Sequence, residues 1–312
     1  MLLRIVADAL FLRGNGLLQA GRPLRALPHL ALAARLAASN PYYFTAAATA
    51  ANQAGNRDRA ARLCERALQL DPQFAPAHEL LFGLYLYGEK YWRVLERIHR
   101  HLRPRTYVEI GVATGVSMHL VLPGTLALGV DPEPAIAFEL PPNMRIFAQT
   151  SDAFFARPDL GEQLGGLPVE LALIDGMHLF EFALRDFMNL ERLCAPGSTI
   201  LIHDCFPLDR NTAKRERLMQ FWSGDIWRLV VLLKKYRRDL LIHTIAAPPT
   251  GLALVRNLDP ASRFIAENFE RLCAEFLALD YAYLDKDRAG KLNLFPNDWE
   301  QIRALLDSTR QL

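Results

Sequence analysis

The sequence has little of what would place it outside ordinary globular proteins. Its 312 residues include only four cysteines, Cys64, Cys194, Cys205 and Cys273, and no two of them form a CxxC pair. That argues against a disulfide framework or a structural zinc site and fits a reducing compartment. No stretch reaches the ~18 unbroken apolar residues that a membrane helix requires. The first sixteen residues are partly apolar, but Arg4, Asp8 and Arg13 interrupt them. With no small-residue cleavage site behind them, they do not read as a signal peptide. Charge of one sign is lacking too. Lys and Arg number 36 against 34 Asp and Glu, a formal net charge of +2, so charge gives no ground for a nucleic-acid or membrane partner. Arg93, Arg97, Arg100, Arg103 and Arg105, and again Lys234, Lys235, Arg237 and Arg238, read as solvated helix faces. A cytoplasmic protein is expected.

The composition, 51% hydrophobic and 22% charged, suits one large domain with a small one beside it. The small one is written as a repeat. Ala20-Gly21-Arg22-Pro23-Leu24-Arg25-Ala26 aligns with Ala54-Gly55-Asn56-Arg57-Asp58-Arg59-Ala60, 34 residues further on, and Tyr87-Gly88-Glu89-Lys90-Tyr91 stands where a third copy would begin. Each copy is a small-residue turn followed by an amphipathic helix, and the first two close near Asn40-Pro41 and Asp71-Pro72. The pattern resembles the tetratricopeptide repeat over roughly residues 10–100. A lone helical hairpin cannot bury its apolar face, so stacked hairpins share a core. The resemblance implies a groove for a peptide or protein partner. The alternative is that the helices only pad or dimerise the rest of the chain.

From Thr106 short apolar runs alternate with helical stretches, which predicts a mostly parallel sheet. Strands are expected near Tyr107–Ile110, Thr125–Val130, Met144–Ala148, Leu171–Asp175, Thr199–His203, Leu240–Thr244 and Leu252–Arg256. Pro248-Pro249-Thr250-Gly251 between the last two is a turn signal for an antiparallel hairpin. The tail reads as helical, with one helix starting near Asp298.

The first strand runs into Glu109-Ile110-Gly111-Val112-Ala113-Thr114-Gly115. Gly111 and Gly115 let the backbone turn sharply against a ligand, and the loop is expected to lead into a helix. The second strand ends at Asp131, 22 residues after Glu109, where an acid can accept both hydroxyl hydrogens of a ribose. The dinucleotide pattern GxGxxG is not met. With Glu109 two residues before the first glycine, the loop resembles motif I of class I S-adenosylmethionine (SAM)-dependent methyltransferases. That resemblance implies that Glu109 helps position the methionine end of the cofactor and that Gly111, Ala113 and Gly115 shape its pocket. After the third strand it implies that Ser151 and Asp152 reach the adenine. Asp152 would equally serve to cap the next helix.

Two further runs carry chemistry. Leu173-Ile174-Asp175-Gly176-Met177-His178 and Ile202-His203-Asp204-Cys205, with Ala195-Pro196-Gly197-Ser198 before the second, place acids at the ends of neighbouring strands, where open α/β sheets bind ligands. A carboxylate there needs a metal, a histidine or the substrate as partner. The pattern resembles a bacterial family of class I methyltransferases related to sugar and antibiotic O-methyltransferases, and more distantly catechol O-methyltransferase. Ser198 stands where the family usually has a second glycine. In catechol-type enzymes the two acids and the residue after the second bind Mg²⁺. Here those positions are Asp175, Asp204 and Cys205. A thiol suits a hard cation poorly, which leaves two readings: His203 substitutes as a ligand for Mg²⁺ or another divalent ion, or the site holds no metal and His203 orients Asp204 or the substrate. His178, where those enzymes carry a catalytic lysine, is the candidate base for an acceptor hydroxyl, or else a cap on the following helix. Glu181 and Asp186 read as surface or packing groups. Asp209, Arg210 and Asn211 can touch the acceptor. The run from Phe221 through Trp222 to Trp227 reads either as a wall over the site or as a helix junction.

The expected architecture is therefore α/β: a Rossmann-like seven-stranded methyltransferase sheet over 104–258 with a helical extension over 259–312, preceded by all-α tetratricopeptide-like repeats over 1–103. The expected activity is SAM-dependent O-methylation of a small-molecule or glycan acceptor. The rival expectations are a repeat-mediated protein that docks a partner enzyme, and methylation of protein.

Overall fold

Proline and asparagine write the early helix starts. A computed structural model describes residues 2–218 and 222–308; Phe221, named above, lies outside the described residues. Pro23 opens α2 (Pro23–Leu36) and Pro41 opens α3 (Pro41–Gln53), where a missing N–H costs nothing. Asn40 and Asn56 accept backbone N–H bonds as caps of α3 and of α4 (Arg57–Leu70). With α1 (Leu2–Gln19) and α5 (Ala75–Tyr85) these helices form one compact unit, which also takes in Leu208–Thr212 and the described residues of 217–222. Here α1 packs on α2 and α3 on α4. The turns of both hairpins hold a left-handed glycine, Gly21 and Gly55, at the 34-residue spacing of the sequence repeat.

The second unit begins at Gly88. Its first helix, α6 (Tyr91–Leu102), was expected within the repeats, but Val94, Leu95 and Ile98 are buried in the same core as Tyr107, Leu171, Leu173 and Leu201 of the sheet. The division thus falls at 87/88 rather than 103/104, because the apolar stripe of α6 faces the sheet core. The strands are β1 (Thr106–Ile110), β2 (Leu126–Asp131), β3 (Met144–Ala148), β4 (Val169–Ile174), β5 (Cys194–His203), β6 (Leu241–Ile245), β7 (Leu252–Arg256) and β8 (Leu294–Phe295). The helices after α6 are α7 (Ser151–Phe155), α8 (Leu160–Gln163), α9 (Phe180–Leu193), α10 (Trp227–Tyr236), α11 (Phe264–Leu277), α12 (Ala282–Asp285), α13 (Arg288–Lys291) and α14 (Trp299–Asp307).

The sheet order is β3-β2-β1-β4-β5-β7-β6-β8. The first five strands are parallel, and β7 lies antiparallel between β5 and β6. All five residues of β1 are buried, as a central parallel strand requires. The chain moves outward from β1 to β3 and returns on the other side with β4. The order therefore reverses between β1 and β4, which places the ligand crevice at their C-terminal ends.

The Rossmann-like sheet is present, with differences from expectation. An eighth strand, β8, pairs in parallel with β6; at two residues it is too short to leave a pattern. The segment after the glycine loop holds only a 3₁₀ turn, Met118–Leu120, not a helix, since Pro123-Gly124 ends it within a few residues. Arg237 is not on a solvated face: it is buried and paired with Glu191 and Asp239. The arginines around α6 do fit that description, with Arg93 and Arg100 on Glu96, Arg97 on Glu89 and Arg105 on Glu170. Asp298 caps α14, close to its expected start. Among the described residues no helix is long and apolar enough to cross a membrane.

Candidate functional site

The glycine loop is braced from β2. Asp131 Oδ2 accepts the N–H groups of Val112 and Ala113 at 3.0 and 2.8 Å, and its Oδ1 accepts that of Glu133 at 2.8 Å. The segment after β2 answers: Ala135 N–H donates to Ala113 and Ala137 N–H to Thr114. Asp131 was expected to hold a ribose. Here it fixes the loop: two N–H groups fill Oδ2, while Oδ1 keeps capacity for one further hydrogen bond. Gly111, at φ +86°, sits so close to β4 that a Cβ would land on the Asp175 carbonyl oxygen.

Glu109 is fully buried on β1. It accepts the Tyr107 hydroxyl at 2.6 Å and that of Ser117. Burial pushes its carboxyl up to about 8, against the pull of these two hydroxyls. In the unfolded chain the group ionises near 4.5. Below that pH both states hold the proton; above it only the unfolded chain releases it. Stability contributed by Glu109 is thus lost, at about 1.4 kcal/mol per pH unit, between about pH 4.5 and 8. Glu109→Gln is expected to remove this slope. Urea unfolding of both proteins at pH 5 and pH 8 checks it: the variant should gain on the native protein by a few kcal/mol at the higher pH.

At the ends of β4 and β5 four titratable side chains meet. His178 Nε2 lies 3.0 Å from Asp204 Oδ2 and 3.6 Å from Asp175 Oδ1. His203 Nδ1 lies 2.9 Å from Asp175 Oδ1 and 3.1 Å from Asp204 Oδ2. Two residues here carry left-handed backbone, His178 at φ +56° and Asp204 at φ +55°, a strain typical of functional turns. Thr250, from the turn between β6 and β7, donates to Asp204 Oδ1. Tyr91 of α6 stacks on the His203 ring at 3.8 Å between centroids, and its hydroxyl bonds Asp175.

The imidazoles and carboxylates of the cluster shift one another. Burial pulls the His203 imidazole down, but Asp175 and Asp204 overcome it and hold it up at about 10. His178 follows the same logic, with burial outweighed chiefly by Asp204, and ends above its ordinary value. Burial lifts Asp204, yet His203 and His178 hold it well below the usual carboxylate range. Burial, its neighbouring carboxylates and the bond to Asp175 all raise the Tyr91 hydroxyl.

Asp175, His178 and Asp204 each offer an atom within 4.8 Å of the others, two hard oxygens and one imidazole, a set that fits Mg²⁺ or a similar ion. His203 takes its place beside this set, its Nδ1 already hydrogen-bonded to Asp175. Cys205 is buried and its thiol is pushed up to about 12, so it offers no thiolate.

A cavity of about 530 Å³ joins the two halves of the site, within the usual range for small-molecule pockets. Gly111, Val112, Ala113, Thr114, Val116 and Ser117 line one side; Asp175, His178, His203 and Asp204 line another; Tyr91 and Trp92 complete it. Clefts of similar volume near Arg103 and near Gly21 hold no comparable cluster of acids and imidazoles.

Tyr91, Trp92 and Thr250 were not among the expected site residues. Trp92 and Tyr91 could have been found as an aromatic pair one helix before β1; Thr250 carried only a turn signal. Ser151 opens α7, Asp152 pairs with Arg185 at 2.8 Å, and Thr150, not Asp152, caps α7. Asp186 is buried, its carboxyl pushed up by burial to about 7. Ser198, the departure from the family glycine, is buried and bonds Val169 and Ala195. Asp209 and Asn211 belong to the helical unit, where Asp209 closes a local turn on Thr212. Trp227 is buried at the start of α10.

Residues 108–205 match the model of a protein family described as a methyltransferase domain, Methyltransf_24. No curated protein matches the sequence. Among solved structures the chain is similar to a methyltransferase from Geobacter sulfurreducens, at 12% identity over 61% of this chain and 90% of that one, with a TM-score of 0.37. It is also similar to the O-methyltransferase TomG from Streptomyces achromogenes in complex with SAM, at 14% identity over 65% and 90%, with a TM-score of 0.39. A third likeness is to the O-methyltransferase from Bacillus cereus in complex with SAH, at 14% identity over 57% and 86%, with a TM-score of 0.36. These likenesses are too distant to bear on the chemistry, which the site's own residues decide.

Proposed function

We propose that the chain, whose residues 108–205 match the model of a methyltransferase domain, is a SAM-dependent O-methyltransferase acting on a hydroxyl of a sugar, polysaccharide or secondary metabolite. The observation that carries this reading is the juxtaposition of the glycine loop with Asp175, His178, His203 and Asp204 around one cavity. Glu109, Gly111, Ala113, Gly115 and Asp131 would hold the methionine and ribose of the cofactor, with Ser151 and Asp152 toward the adenine.

The reaction asks for alignment and for removal of one proton. The acceptor oxygen attacks the methyl carbon, the carbon–sulfur bond breaks with its electrons going to the sulfonium sulfur, and the hydroxyl proton goes to His178. Asp204 and Asp175 orient that imidazole, and His203, held by Tyr91, keeps the two carboxylates in register. A divalent cation held by Asp175, His178 and Asp204 would instead supply the lowered hydroxyl pKa itself.

Asp131→Ala is expected to weaken S-adenosylhomocysteine binding by about one to three orders of magnitude, since it removes both the ribose contact and the brace of the loop. Isothermal titration of the two proteins measures this. The reading as a whole is tested by incubating the full chain with methyl-labelled SAM and fractionated extract. Label in an alkali-stable, low-mass or glycan product is expected. Label confined to protein, or none, would count against it.

A further inference from the structure

The turn that carries His178 is held by a stretch more than forty residues further along the chain. At φ +56° a non-glycine residue persists only where its surroundings over-determine it. The His178 carbonyl oxygen accepts the Asp225 N–H at 3.2 Å. Gly224, at φ +61°, packs so closely on the turn that a Cβ there would land on that same oxygen. Asp225 is fully buried. Its Oδ1 accepts the N–H of Phe180 at 2.7 Å, the first residue of α9, whose own N-cap, Leu179, supplies no side-chain bond. Its Oδ2 accepts Arg215 Nη1 at 2.7 Å and Arg228 Nη1. Arg215 also grips Glu181, one residue further along α9, through two bonds of 2.6 and 2.9 Å.

A buried carboxylate needs such partners, and this one joins both sides of the His178 turn to residues 215 and 228. We propose that Asp225, set by Arg215, is the positioning residue for His178: it fixes the imidazole against Asp175 and Asp204. The inference rests on the reading of His178 as the group that serves the acceptor hydroxyl. Arg215 is its accessible handle, because its side chain is 40% exposed and its removal leaves the buried Asp225–Arg228 pair in place.

The test compares the full-length native protein with Arg215→Ala, Arg215→Lys and Asp225→Asn. It reads kcat, the KM for SAM, and the imidazole resonances of His178, assigned by their loss in His178→Ala. Arg215→Ala is expected to lower kcat about ten- to a hundred-fold, as a displaced reacting group does. The KM for SAM should stay within about two-fold, and the His178 resonances should move. Arg215→Lys, which restores one charge, should recover part of both effects. A folded Arg215→Ala protein with native kcat and native His178 resonances would overturn the proposal. If the native protein itself transfers no methyl group, the functional reading fails separately. The resonances then still decide: displaced signals support the clamp, and identical ones overturn it.

Discussion

His178→Ala is expected to bind S-adenosylhomocysteine with native affinity and to lose methyl transfer by about 10²–10⁴-fold, the range for removal of a general base. The geometry separates the two effects. The imidazole sits against Asp204 and Asp175 at the end of β4, whereas the loop braced by Asp131 lies at the ends of β1 and β2. Alanine inherits the same backbone conformation at φ +56°, so it adds little new strain at the turn. Single-turnover transfer from labelled SAM, with binding measured on the same preparation, checks both halves. A transfer rate within three-fold of native would remove His178 from the chemistry.

The largest structural effect is expected from Gly111→Ala. The residue lies at φ +86°, and the added Cβ would collide with the carbonyl oxygen of Asp175, a backbone atom fixed in the sheet. Asp175 N–H in turn bonds the Ile110 carbonyl, and Gly111 N–H bonds that of Val130, so neither side can withdraw without breaking a bond at the centre of the sheet. The left-handed conformation and the overlap together are expected to destabilise the fold by about 2–5 kcal/mol. Whatever protein remains folded should bind S-adenosylhomocysteine at least a hundred-fold more weakly. Gly124→Ala is the control: no atom lies within 4 Å of its Cβ position, and its melting temperature should match the native one. Thermal unfolding of the three proteins distinguishes them.

The central strands were readable because β1 and β4 are almost wholly buried and therefore written as short apolar runs closing on a charged or glycine residue. The acid after β2 was readable by its spacing from Glu109. What escaped the sequence depended on contacts far along the chain. Tyr91 and Trp92 reach the cavity only because α6 packs on the sheet, and periodicity alone cannot say which neighbour a helix stripe will choose. Thr250 reaches Asp204 through a turn whose residue types report curvature, not direction. The left-handed turn at His178 left no local signal, because its support comes from Gly224 and Asp225.

In the proposed reading the crevice at the ends of β1 and β4 holds SAM. Calorimetric titration of the purified full-length protein with S-adenosylhomocysteine tests it most directly. Saturable binding of one molecule per chain is expected, accompanied by a rise in melting temperature. No heat and no thermal shift at millimolar S-adenosylhomocysteine would contradict it.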